Sequence, residues 1–183
     1  MKAVFLDRDG VINRYPGDRE YVKSWKEFKF LPNVKAALEK LSAWGYAIFI
    51  ISNQAGVAKG IYSRDALEEM TLNMLKKLGP QVKISGVYYC IHREEDDCSC
   101  RKPKTGSIEK ALQELTNKGH KVDLKESFFI GDTIRDVETG ERSGLRTILV
   151  FSGKEKPDNK DNWKIKPDFT ARSLYEAVAI ILK

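Results

Sequence analysis

Apolar residues fall along this chain in two rhythms. Short unbroken runs, Val4-Phe5-Leu6, Ala47-Ile48-Phe49-Ile50-Ile51, Val87-Tyr88-Tyr89, Phe128-Phe129-Ile130 and Thr147-Ile148-Leu149-Val150, are too short and too β-branched or aromatic to prefer helix, and they predict strands. Between them the spacing changes to that of a helix. Val34, Leu38, Leu41 and Trp44 follow Pro32-Asn33 and stop at Gly45; Leu67, Met70, Met74, Leu75 and Leu78 follow a Ser63 cap. Ile108, Ala111, Leu112 and Leu115 share one face of a helix over 107–118 that Gly119 ends, and Ser173 caps a last amphipathic helix running to Leu182. Strands without alternation are strands covered on both faces. The pattern therefore predicts an α/β fold, with a mainly parallel sheet and helices on both faces. The chain of 183 residues makes one domain, 1–183. Residues 153–168 read as a polar loop rather than a linker.

Ligands in such sheets bind beyond the carboxyl ends of the strands. Reactive polar groups do gather there. The first run leads into Asp7-Arg8-Asp9-Gly10 and the second into Ser52-Asn53-Gln54. The third is followed by a cysteine-rich loop ending in Arg101-Lys102-Pro103, and the fourth by Gly131-Asp132. Asp7 and Asp9 lie two apart at a strand end, so their side chains point the same way. Two close carboxylates repel unless a proton or cation lies between them, and a hard dication such as magnesium suits them. The same residues also make a good turn, and the pair alone does not choose between the two.

Composition narrows the class. Hydrophobic residues at 42% and charged residues at 32% fit a soluble globular protein. The N-terminal apolar run is broken by Asp7, unlike a signal peptide or membrane span, and a cytoplasmic location is the default expectation, with no membrane partner. The net charge of +6 favours anionic partners, but the lysines are dispersed and no aromatic-rich basic patch is evident along the chain. A small phosphorylated substrate is expected rather than nucleic acid, and a monomer rather than an oligomer.

The three cysteines fall within eleven residues, too odd in number and too close for a disulfide framework. With one histidine they form Cys90-Ile91-His92, five residues, then Cys98-Ser99-Cys100. These four groups are a complete Cys₃His set for tetrahedral zinc, against the alternative of free thiols beside a surface histidine. The zinc-binding loop is read as 90–100.

Taken together, these segments resemble the phosphatases of the haloacid dehalogenase superfamily. Phe5-Leu6-Asp7-Arg8-Asp9-Gly10-Val11-Ile12-Asn13 is similar to their first motif, Ser52 to the second, Lys102 to the third and Gly131-Asp132-Thr133-Ile134-Arg135-Asp136 to the fourth, in the family's order. The resemblance implies a Rossmann-like fold and a covalent mechanism. Asp7 would be the nucleophile and Asp9 the general acid and base. Ser52 and Lys102 would hold the phosphoryl group. Magnesium would be bound by Asp7, Asp132 and the Asp9 backbone carbonyl, with Asp136 supporting the site from behind. For Asp136 the alternative is a first-turn acid favoured by a helix dipole. No insertion between the motifs is long enough for a large cap domain.

The cysteine pattern, together with Ser52-Asn53-Gln54-Ala55-Gly56-Val57-Ala58 and Cys100-Arg101-Lys102-Pro103, is similar to a branch acting on heptose bisphosphates and histidinol phosphate. That likeness implies a structural zinc and a heptose bisphosphate cleaved at its 7-phosphate. Histidinol-phosphate and nucleic-acid 3′-phosphatase activities are the alternatives. It further implies that Asn13, Asn53, Gln54 and Arg101 contact substrate, and that 14–17 line the mouth of the site. Satisfied turn amides and a solvated cation remain the plainer readings of Asn53-Gln54 and Arg101. About two extra residues around Asp18-Arg19-Glu20 depart from the branch's shorter loop.

Overall fold

A computed structural model describes all 183 residues. Six strands form one parallel sheet: β1 (Ala3–Leu6), β2 (Ala47–Asn53), β3 (Ile84–Cys90), β4 (Phe128–Gly131), β5 (Arg146–Val150) and β6 (Phe169–Ala171), in the order β3-β2-β1-β4-β5-β6. Every neighbouring pair is parallel. Four helices lie between strands, α1 (Val34–Ala43), α2 (Arg64–Leu78), α3 (Gly106–Asn117) and α4 (Ile134–Arg142), and α5 (Leu174–Ile181) follows β6.

Alternation along the strands splits the core in two. Val4, Leu6, Ile48, Ile50, Ile130 and Ile148 face α1, α2 and α5, while Ala3, Phe5, Phe49, Ile51 and Phe129 face α3. Both faces are thus covered, as the unbroken apolar runs require. Edge strand β3 is the exception, since most of its residues are only half-buried.

The caps read from sequence are in place. Ser63 Oγ accepts from the Ala66 amide and Ser173 Oγ from the Glu176 amide. Gly45 takes a positive φ directly after α1 and its Trp44 cap. Two elements went unread. Strand β6 is three residues long and follows a polar stretch, and α4 buries Val137 as its one large apolar side chain.

Chain order places the site. From β1 the chain passes outward to β2 and β3, then returns across β1 to β4 on the other side. The order reverses between β1 and β4, where such folds open a crevice. Leu6 pairs with Ile130, so Asp7 and Asp132 leave adjacent strands side by side.

Candidate active site

The crevice at this reversal has a volume of about 410 Å³. Asp7, Asp9, Ser52, Asn53, Gln54, Lys102, Asp132 and Asp136 all line it, so residues spread from 7 to 136 converge there.

Asp7 is the hub. Its Oδ1 accepts from the Arg8 amide at 2.7 Å, and its Oδ2 is 3.0 Å from Lys102 Nζ. The same Nζ lies 2.5 Å from Asp136 Oδ1. Burial alone would lower the Lys102 pKa, but Asp136 and Asp7 outweigh it and hold the ammonium above its ordinary value. Lys102 is positioned through its backbone as well. Asn53 Oδ1 accepts from the Lys102 amide at 3.1 Å and Asn53 Nδ2 donates to its carbonyl at 3.2 Å.

Asp136 turns its two oxygens to different partners. It closes a capping box at the start of α4, where its Oδ2 accepts from the Thr133 amide at 3.1 Å and hydroxyl at 2.6 Å. Its other oxygen faces Lys102. One oxygen thus belongs to the helix start and the other to the ion pair with Lys102.

Positive charge is short in this cluster. Burial raises Asp7 from 3.8 to about 6 despite Lys102, and raises Asp132 well above the usual carboxylate range, with Asp136 and Asp7 adding to the effect. Three carboxylates, those of Asp7, Asp132 and Asp136, bring an oxygen each within 4.8 Å of one another. Lys102 forms ion pairs with Asp7 and Asp136, and Asp132 has no ion-pair partner. An all-oxygen donor set with surplus negative charge fits a hard dication. The backbone is closed around it. Gly10 has φ +86°, and a Cβ there or at Gly153 would overlap the Asp132 carboxylate. The loop after β5 completes the enclosure, with the Lys154 amide donating to Asp132 Oδ2 at 2.8 Å and Ser152 Oγ to the Gly10 carbonyl at 2.7 Å.

Asp9 is held from three sides. Its Oδ1 accepts from Asn13 Nδ2 at 2.8 Å and its Oδ2 from Gln54 Nε2 at 2.8 Å, while Arg8 Nη2 reaches both oxygens at 3.0 Å. Gln54 also donates to Ser52 Oγ at 3.1 Å and accepts from Tyr62 Oη at 2.6 Å.

The residues expected to contact substrate are placed in different ways. Asn13 is wholly buried and Gln54 nearly so, and their amides engage Asp9. Arg101 lies outside the crevice, lining a neighbouring cleft with Arg135 and Arg142, and its Nη1 donates to the His92 carbonyl at 3.4 Å. Of the segment 14–17, residues Tyr15, Pro16 and Gly17 line the mouth; Arg14 points elsewhere. The extended loop is tied across the opening by Asp18, whose Oδ1 is 2.8 Å from Lys154 Nζ.

Folding also gathers a basic aromatic cleft that the linear sequence hides. Arg14, Lys26, Lys29 and Lys77 surround Trp25, Phe28 and Phe30 because the 14–30 loop packs beside the end of α2. Sequence reasoning further missed Arg8 and Tyr62. A charged residue between two aspartates gives no linear sign that it is buried.

Beyond β3 the thiol cluster forms as expected. Cys90 Sγ and Cys98 Sγ are 3.5 Å apart, as are Cys98 and Cys100, with His92 Nδ1 3.3 Å from Cys100 and 3.7 Å from Cys90. No disulfide links them. A zinc tetrahedron with bonds of about 2.3 Å to sulfur has sulfur–sulfur edges of about 3.8 Å, so the four groups stand at coordinating separation. Without a cation, burial pushes the Cys90 thiol up to about 12.

Known proteins give the site its context. A family model described as HAD-hydrolase-like matches residues 99–177. The D-glycero-D-manno-heptose-1,7-bisphosphate 7-phosphatase of Chlorobaculum tepidum is 38% identical, covering 97% of this chain and 92% of its own. The D-glycero-beta-D-manno-heptose-1,7-bisphosphate 7-phosphatase of Haemophilus influenzae is 38% identical over 84% of this chain and 83% of its own. A Campylobacter jejuni relative named for the alpha form is 36% identical over 85% of each chain. The crystal structure of D,D-heptose 1,7-bisphosphate phosphatase from B. bronchiseptica, complexed with magnesium and phosphate, superposes with a TM-score of 0.89 at 26% identity, covering 100% of this chain and 98% of that one. No helix is long and apolar enough to cross a membrane. With relatives matching almost end to end and the four motif groups meeting in one crevice, the chain belongs to the heptose-1,7-bisphosphate 7-phosphatase family of haloacid dehalogenase-like hydrolases.

Proposed function

We propose that this chain is a magnesium-dependent phosphatase, working as one catalytic domain, that removes the 7-phosphate of D-glycero-D-manno-heptose 1,7-bisphosphate. The observation that carries the reading is the convergence of Asp7, Lys102, Asp132 and Asp136 in one crevice, in a chain whose near full-length relatives bear that activity in their names.

Asp7 attacks phosphorus while the bond to the sugar oxygen breaks, forming an aspartyl phosphate. Asp9 gives its proton to the departing oxygen. Water then attacks the acyl phosphate, Asp9 takes a proton from it, and Asp7 is released with inorganic phosphate. Lys102 and Ser52 hold the phosphoryl oxygens as charge builds on them. Magnesium, held by the side chains of Asp7 and Asp132 and the carbonyl of Asp9, supplies the positive charge that the three carboxylates lack. Cys90, His92, Cys98 and Cys100 would hold a zinc ion with protein groups alone, so its role would be structural, fixing the loop from which Lys102 enters the crevice.

The test is phosphate release from both anomers of the heptose bisphosphate, from histidinol phosphate and from a 3′-phosphorylated oligonucleotide. The bisphosphate is expected to lead by at least tenfold in kcat/KM, with the 1-phosphate retained in the product. A lead for histidinol phosphate or the oligonucleotide overturns the substrate assignment, and the basic cleft around Trp25 makes the oligonucleotide a fair competitor.

A further inference from the structure

We propose that Arg8 is a positioning residue for proton transfer: its buried guanidinium fixes the plane and direction of the Asp9 carboxylate. The inference rests on the reading of Asp9 as the general acid and base.

Arg8 lies between the two aspartates, and the alternation that sends Asp7 and Asp9 into the crevice sends Arg8 beneath it. It is 1% exposed, the largest of the fully buried side chains. Arginine is almost never buried this deeply unless paired, and a buried ion pair is weak support for stability, since an apolar side chain of similar volume often does as well. Arg8 has one carboxylate partner, Asp9, which its Nη2 reaches at 3.0 Å through both oxygens and its Nε at 3.3 Å through one. Nη1 is buried with no partner. Two aromatic rings hold the guanidinium, with Phe28 5.9 Å and Tyr89 5.6 Å from its central carbon. A cation placed at such expense, with its polar contacts directed at one carboxylate, is explained by what that carboxylate does.

General acid catalysis needs the donor oxygen within about 3 Å of the leaving oxygen. The last torsion of an aspartate is broad, so the carboxylate plane is not self-defining. A planar fork that engages both oxygens defines it, whereas a point charge does not. Asn13 and Gln54 secure one oxygen each from the two sides, which leaves Arg8 as the group that sets the plane. In the first step the phosphorus–oxygen bond breaks and the sugar oxygen takes the Asp9 proton. A misdirected Asp9 slows this step for an alkyl leaving group. It leaves the step nearly unchanged for 4-nitrophenyl phosphate, whose leaving group departs as a stable anion.

The experiment compares kcat/KM, which reports events up to the first bond cleavage, for the heptose bisphosphate and for 4-nitrophenyl phosphate in wild type, Arg8→Met and Arg8→Lys. Arg8→Met is expected to lose about 100-fold on the sugar phosphate and no more than about threefold on the aryl phosphate. Arg8→Lys keeps the charge without the fork and is expected to show the same one-sided loss; it carries the test if Arg8→Met does not fold. Equal losses on both substrates, or full recovery of the sugar phosphate rate with lysine, overturn the proposal. Failure of the wild-type protein to hydrolyse either ester would instead remove the phosphatase reading on which it rests.

Discussion

Two polar clusters stand at neighbouring strand ends and are held in opposite ways. The catalytic cluster sits over the middle of the sheet, where β1, β2 and β4 emerge from a continuous core, and Lys102, Asp132 and Asp136 are almost wholly buried. Its geometry is set by backbone register and by hydrogen bonds such as those of Asn53 and Thr133. The thiol cluster hangs beyond edge strand β3 on a loop whose residues 93–97 are all exposed. A few surface contacts hold that loop, among them Arg93 on the Ala58 carbonyl, Lys104 on Asp97 and the Gly106 amide on the Ser99 carbonyl. Burial and register thus fix the first cluster, whereas the second rests on surface contacts, and the two meet where Cys100 is followed by Arg101 and Lys102.

The sharpest break of this comparison is at the nucleophile. Asp7→Asn should lower turnover on every substrate by at least about 10⁴-fold while leaving the thiol loop and the thermal transition intact, as phosphate release and calorimetry will show. Substantial residual turnover would rule out the covalent route. Next is the loop. Cys98→Ser, or removal of zinc by a chelator with magnesium kept in excess, should cost about 10- to 100-fold in kcat. Hydrogen exchange should rise over 91–104 while β1, β2 and β4 stay protected, because the loop contributes little to the core. Unchanged activity with zinc shown to be absent would separate the two clusters altogether.

A smaller effect tests the join between them. Asn53→Ala removes both bonds to the Lys102 backbone and should lower kcat about tenfold, with the thiol cluster still able to bind zinc. The smallest effect concerns pH. The Asp7 carboxyl is raised from 3.8 to about 6, so the folded protein without magnesium binds that proton more tightly than the unfolded chain does. The stabilisation is complete below 3.8 and is lost as pH rises through about 6. Magnesium should accordingly raise the melting temperature more at pH 7 than at pH 4; an equal shift at both would show that the ion does not relieve these carboxylates.

The two clusters also differed in how they could be read. The thiol ligands lie within eleven residues, so their chemistry stood in a single stretch of sequence. The catalytic residues span 130 positions, and only the recurrence of polar groups after apolar runs joined them. What stayed hidden depended on three-dimensional neighbours. Asn13 and Gln54 look like substrate amides in sequence, yet burial turns both toward Asp9. Arg8 gives no linear sign of burial, and only the fold places the rings of Phe28 and Tyr89 around it. Helix α4 escaped notice because its start is marked by the polar pair Thr133 and Asp136 rather than by an apolar stripe.

The glycines around the carboxylates bear on the history open to this chain. A side chain at Gly10 or Gly153 would take the space of the Asp132 carboxylate, and one at Gly131 would take that of Asp136. A replacement at any of these positions must move a carboxylate of the cluster, since the first added carbon already takes its place. Side chains that can change without moving these carboxylates lie at the mouth, over Tyr15–Tyr21.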